Sequence, residues 1–186
     1  KGVKCILIKS LQPGDGKSFV SLNLAASYAL LNKLTIILEC DLRKPSIAKS
    51  LGVNPSAGIA DILARNSPVD DLIIEVPGYD GHLFLLPAGG PSSNSAELIS
   101  GAGMESLVKS LKDQFDYIVI DSPASDLVAD AELLRQYADL TLIVLRQNHS
   151  SIEILKRAKF LSGKTSDKPA FILLNDVVKN SYRRNY

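Results

Sequence analysis

Near the start of this chain a strand, a glycine-rich turn and a helix come in direct succession, and that order leaves few folds open. Val3 to Ile8 reads as a near-continuous apolar strand. Ser10-Leu11-Gln12-Pro13-Gly14-Asp15-Gly16-Lys17-Ser18 reads as the turn, and Phe19 to Leu31 carries a helical pattern. Such a turn brings backbone N–H groups and a helix N-terminus onto one anion. Gly14 and Gly16 let the main chain come close where a Cβ would collide. Lys17 supplies a mobile cation for phosphate, and the Ser18 hydroxyl a ligand for Mg²⁺. The match to G-x4-G-K-[ST] is partial, because Leu11 holds the first glycine position.

The rest of the chain repeats the alternation. Strands are expected at Leu34–Leu38, His82–Leu86, Tyr117–Ile120, Leu140–Leu145 and Ala170–Leu174. Helices are expected near Ile59–Arg65, Ala96–Gln114, Ala129–Tyr137 and Ser150–Leu161. Apolar strands without polar alternation, separated by crossover helices, predict a mostly parallel sheet covered on both faces, a three-layer α/β architecture. With 186 residues the chain suits one domain, 1–186, ending in a short tail over 176–186. In such sheets ligands bind at the carboxyl ends of the strands.

Acids stand at those ends. Glu39 and Asp41 follow the second strand, and Asp121 follows the Tyr117–Ile120 strand. A carboxylate there can hold Mg²⁺ beside a bound phosphate. Arg43 and Lys44 are read as solvated surface or as facing the triphosphate or a partner's surface. Arg146 either reaches the nucleotide pocket or lies exposed, while His82 and His149 are read as non-catalytic, His149 belonging to the start of a helix.

Composition excludes more than it selects. The net charge of +1 carries no global signal for nucleic acid or membrane, and the 46% apolar content is globular. No apolar run reaches membrane-spanning length. Cys5 and Cys40 sit in or at the end of strands and are expected as buried free thiols, the usual state in a reducing cytoplasm. The first residues enter a core strand with almost no leader, which suggests an excised domain or a chain trimmed at its ends.

Pro13-Gly-Asp-Gly-Lys-Ser18, followed by Asn23-Leu24-Ala25, resembles the deviant-Walker P-loop ATPases related to MinD and ParA. More specifically, the chain resembles the cytoplasmic catalytic domain of the bacterial tyrosine kinases of capsule and exopolysaccharide synthesis. The residues that carry this are Leu38-Glu-Cys-Asp-Leu-Arg-Lys-Pro45, Leu86-Pro-Ala-Gly-Gly-Pro-Ser-Ser-Asn-Ser-Ala-Glu-Leu98 and Phe115-Asp-Tyr-Ile-Val-Ile-Asp-Ser-Pro123, with Asp130-Ala131 beyond them. The resemblance implies a P-loop NTPase fold, ATP and Mg²⁺ as cofactors, and protein-tyrosine autokinase activity with ATPase activity. Pro13, Gly14, Asp15, Gly16, Lys17, Ser18 and Phe19 would hold the phosphates, and Asn175 would face the adenine. Ser18, Asp41 and Asp121 would hold the metal. Lys17, Asp41, Asp121 and Glu39 would carry catalysis, and Tyr182 and Tyr186 would be the phosphoacceptors.

It further implies a homo-oligomer, a ring among the forms expected, in which one subunit phosphorylates another's tail. A membrane-embedded polysaccharide co-polymerase would be the partner, at the cytoplasmic face of the cell membrane, with no nucleic acid. Three departures stand out. Glu39 replaces the family's usual Asp, only two tyrosines remain in the tail, and Gln12 occupies the position of a lysine in MinD-like proteins. Two alternatives stay open: an ATP-binding switch module of weak catalytic power, and a MinD/ParA-type ATPase.

Overall fold

The computed structural model describes residues 2–65, 67–90, 92, 94–124, 130–163 and 168–178. The strands are β1 (Cys5–Ser10), β2 (Thr35–Glu39), β3 (Ile74–Glu75), β4 (Leu83–Leu86), β5 (Tyr117–Asp121), β6 (Leu140–Arg146) and β7 (Ala170–Asn175). They form one sheet in the order β3-β4-β2-β5-β1-β6-β7. Every pairing is parallel except that of β3 with β4. The expected strands fall within two residues of these bounds. The two-residue β3 is too short to leave a periodic signal.

The helices are α1 (Lys17–Ala29), α2 (Ile47–Ser50), α3 (Ile59–Arg65), α4 (Ser95–Ser100), α5 (Ala102–Gln114), α6 (Asp130–Leu134) and α7 (Ile152–Gly163). The single helix expected over Ala96–Gln114 is two, because Gly101 adopts an extended conformation between α4 and α5. The pattern expected over Ala129–Tyr137 is α6 followed by a 3₁₀ turn at Arg135–Tyr137.

Both faces of the sheet are covered, as continuous apolar strands require. On one face Leu7, Ile36, Leu38, Ile118 and Ile120 pack against Ile62 of α3, Ile99 of α4 and Met104, Leu107 and Leu111 of α5. On the other, Ile6, Ile8, Ile37 and Val119 pack against Val20 and Ala25 of α1 and Ile47 of α2. Each of these Leu, Ile, Val and Met side chains, fully removed from water, contributes about 1.5–3 kcal/mol. Even Lys9 of β1 is only 3% exposed, and its charge is met by Glu132 of α6 at 2.9 Å. Cys5 and Cys40 are free and buried.

The two sheet edges differ. β3 is a stub, whereas β7 is six residues long and leaves Phe171, Ile172 and Leu174 exposed. Among the described residues no helix is long and apolar enough to cross a membrane.

Candidate active site

The turn after β1 is held by its own sequence. Leu11, at the position where the full motif has glycine, is completely buried against Ile143, Leu145 and Ala158. It anchors the start of the loop in the core. Gly14 and Gly16 have φ of 85° and 88°, where a side chain is strained. A Cβ on Gly14 would lie 3.0 Å from the His149 Nε2, and one on Gly16 would collide with the Asn175 amide. Gly16 is the N-cap of α1 and offers no side chain to it. Among the described residues the N–H groups from Gly14 to Phe19 meet no acceptor. A run of free donors at a positive helix end is an anion cradle. The Phe19 side chain is exposed, so what it brings to the cradle is its backbone N–H.

On the β2–β5 side lie the acids. Asp121 ends β5 opposite Ile8 and Glu39. Its Oδ2 accepts from the Ser18 hydroxyl at 2.8 Å and its Oδ1 from Ser21 at 2.8 Å. Burial pushes the Asp121 carboxyl up to about 6, while Ser18, Ser21 and the Lys17 charge pull it down and Asp41 adds to the rise. Lys17 has no hydrogen-bond or ion-pair partner among the described residues. Ser18 also accepts from Ser46 at 3.1 Å. Asp41 uses Oδ1 to accept from the Lys44 N–H at 3.0 Å. Arg43 donates to Ser95 on α4 at 2.9 Å.

Glu39, expected as a catalytic acid, is engaged by backbone N–H groups. Its Oε1 accepts from the N–H groups of Ser46, Ile47 and Ala48, at 2.7, 2.6 and 3.3 Å, and its Oε2 from Ala88 at 3.3 Å. The carboxylate is fully buried and caps the N-terminus of α2. Three of the four bonds converge on Oε1, and Oε2, with one bond at 3.3 Å, keeps the remaining accepting capacity. The extra methylene relative to Asp lets the carboxylate reach this helix.

On the β6–β7 side are Arg146, left by the sequence between the nucleotide pocket and the surface, His149, read as non-catalytic, and Ser150, which the sequence did not single out. His149 meets the Pro13 carbonyl at 3.0 Å, Arg146 donates to the Gly14 carbonyl at 3.3 Å, and Ser150 donates to Asp15 Oδ1 at 2.8 Å. Asn175, expected at the adenine, donates from Nδ2 to the Asp15 carbonyl at 3.0 Å. Gln12 bridges Asp15 Oδ1 at 3.2 Å and the His149 carbonyl at 3.3 Å. The Asp15 carboxylate is buried, with Oδ2 unpartnered among the described residues. A capping pattern at the start of α7 hides these contacts, since nothing local distinguishes a His or Ser that reaches across to another loop. Tyr182, Tyr186 and the Asp126–Ala129 segment lie outside the described residues, as do Pro91 and Ser93 of the Leu86–Leu98 stretch.

Among the described residues no group of three or more His, Cys, Asp or Glu forms a metal cluster. Mg²⁺ does not need one, since it is bound through one or two carboxylates with substrate phosphates completing the shell. Ser18, Asp41 and Asp121 are hard oxygen donors. The buried Asp121 charge has hydroxyls rather than a cation as its hydrogen-bond partners, so the set fits a divalent ion beside the cradle.

No family model matches the chain. The putative tyrosine-protein kinase EpsB of Ralstonia solanacearum is 31% identical over 188 residues, a match that takes in 100% of this chain and 24% of the relative. The crystal structure of the VpsO kinase domain is 30% identical, with a TM-score of 0.84 over 95% of this chain and 86% of that one. The chain belongs to the bacterial tyrosine kinases. A further neighbour in shape is the chimerical protein CapA2B2, 29% identical with a TM-score of 0.88 over 96% of this chain and 78% of that one. The chain spans about a quarter of the length of the Ralstonia relative. Its sheet order and its loop at the end of β1 are those of a P-loop NTPase.

Proposed function

We propose that this chain is the ATP-dependent catalytic domain of a protein-tyrosine autokinase acting in capsule or exopolysaccharide production. The observation that carries the reading is the bond from Ser18 to Asp121 at 2.8 Å, next to a cradle of free N–H groups and the unpaired Lys17. These are the parts that phosphoryl transfer asks of a protein, which is mostly positioning and neutralisation of charge.

In the proposed reaction the backbone from Gly14 to Phe19 binds the ATP phosphates, and Lys17 draws charge from the transferred group. Mg²⁺, when bound, supplies further neutralisation there, with Ser18, Asp41 and Asp121 as its protein ligands. Asp41, whose Oδ2 has no partner among the described residues, accepts the proton of the attacking tyrosine hydroxyl. A bond forms between that tyrosine oxygen and the γ-phosphorus, the bond from the γ-phosphorus to the β–γ bridging oxygen breaks, and ADP leaves. Glu39 is left to hold α2.

Tyr182 and Tyr186 are proposed as acceptors in the tail of a neighbouring copy, within a homo-oligomer at the cytoplasmic face of the membrane, where a membrane-embedded polysaccharide co-polymerase is the partner. One observation favours a second reading, a nucleotide-dependent switch of weak transferase power. It is the engagement of Glu39 by four backbone N–H groups, which takes one acid out of the chemistry. Intact mass after incubation with Mg²⁺ and ATP separates the two. The kinase gains phosphate, and Tyr182→Phe with Tyr186→Phe reduces the gain, whereas the switch binds nucleotide with no change in mass. Lys17→Met abolishes turnover and leaves the fold unchanged. An unaltered rate in that variant overturns the assignment.

A further inference from the structure

Three successive carbonyl groups of the loop, those of Pro13, Gly14 and Asp15, each receive a side-chain nitrogen from the β6–β7 side: His149 at 3.0 Å, Arg146 at 3.3 Å and Asn175 at 3.0 Å. A carbonyl can only accept, so the His149 Nε2 carries a proton in its contact. The peptide unit is planar, and across a trans bond the N–H of the next residue points away from the carbonyl. Holding the carbonyl of Pro13 therefore fixes the N–H of Gly14. Holding those of Gly14 and Asp15 fixes the N–H groups of Asp15 and Gly16. With φ near +85° at both glycines this stretch has little steric resistance to a peptide flip, so the orientation must be imposed from outside.

We infer that Arg146, His149 and Asn175 are positioning residues that turn the N–H groups of Gly14, Asp15 and Gly16 toward the phosphates of the nucleotide. The inference rests on the nucleotide reading proposed above. The β6–β7 side is tied to the loop by further contacts. Arg146 is paired with Asp176 at 2.9 Å, and Ser150, the residue after His149, holds the Asp15 carboxylate. Gln12 returns a bond to the His149 carbonyl, so the β6–α7 turn and the loop grip each other from both sides. Asn175 acts on the loop backbone in this arrangement, not on the base.

The test uses the full chain and two ligands with Mg²⁺, ATP and inorganic tripolyphosphate, the second of which has no base to contact. His149→Leu and Asn175→Ala each weaken both ligands by about fivefold, the effect of one net hydrogen bond. Thermal midpoints stay unchanged, and His149→Gln, which restores a donor, recovers most of the affinity. Three outcomes overturn the inference while leaving the nucleotide site intact: unchanged tripolyphosphate affinity in the variants, loss confined to ATP in Asn175→Ala, or His149→Gln no better than His149→Leu. Failure of the unaltered chain to bind either ligand removes the nucleotide reading, and this inference with it.

Discussion

The loop is flanked by two regions of opposite character. On the β2–β5 side the working groups are acids taken out of water, Glu39 at 0% and Asp121 at 1% exposure. On the β6–β7 side they are donors at the rim, with the Arg146 and His149 side chains each 44% exposed. Dehydration amplifies every change of charge on the first side. Solvent screens the second side, where a contact matters through the geometry it sets rather than the energy it holds. The acids tune what the site can stabilise, and the donors tune its shape. Substitutions should therefore act strongly on one side and modestly on the other.

Asp121→Asn gives the largest effect. Turnover falls by about 10²–10³-fold, the scale of losing one preorganised electrostatic contact. Without divalent cation the same change stabilises the fold at neutral pH. The folded carboxyl is raised to about 6 from its ordinary 3.8, so its contribution is fully present below pH 4 and is lost as pH rises through 6. Above that the variant exceeds the parent by up to roughly 3 kcal/mol, at about 1.4 kcal/mol per pH unit. Urea unfolding at pH 4 and pH 8 measures the gap, and one that does not widen with pH contradicts the buried, cation-free carboxylate.

Glu39→Gln is next. Its amide nitrogen must face either the Ala88 N–H or those of α2, donor against donor, which lowers stability by about 1–3 kcal/mol. Turnover per folded molecule stays at the parent level. A large loss of rate in well-folded Glu39→Gln would return this residue to the chemistry and blur the contrast. Ser150→Ala, on the donor side, is smallest. It takes one hydroxyl from Asp15 and leaves Gln12, with an expected loss of about 1 kcal/mol in stability and a few-fold in nucleotide affinity, read by calorimetry.

The two sides also differ in how well the sequence shows them. The acids at strand ends could be found because strand, loop and acid are contiguous, and β2 and β5 announce themselves as apolar runs. The donors show less: Arg146 reads as either at the nucleotide pocket or exposed, Asn175 is reached only through the resemblance, and the contacts of all four with the loop span more than a hundred residues and carry no local pattern. Ser21 is an intermediate case. It stands one helical turn after Ser18, so the spacing places both hydroxyls on one side of α1, but only the sheet register brings Asp121 to them. The role of Glu39 was hidden because α2 is a single turn, shorter than any periodicity can reveal. The break at Gly101 was the most legible miss, as a glycine between two helical patterns is an ordinary terminator.

The open margin at β7 bears on how the molecule behaves in a tube. A six-residue strand without a charged side chain, bonded on one side only among the described residues and showing Phe171, Ile172 and Leu174 to water, is a ready template for another chain's backbone. Colloidal association, rather than loss of the native state, is then the first failure expected on concentrating the protein. A single lysine introduced at Ile172 is the natural remedy.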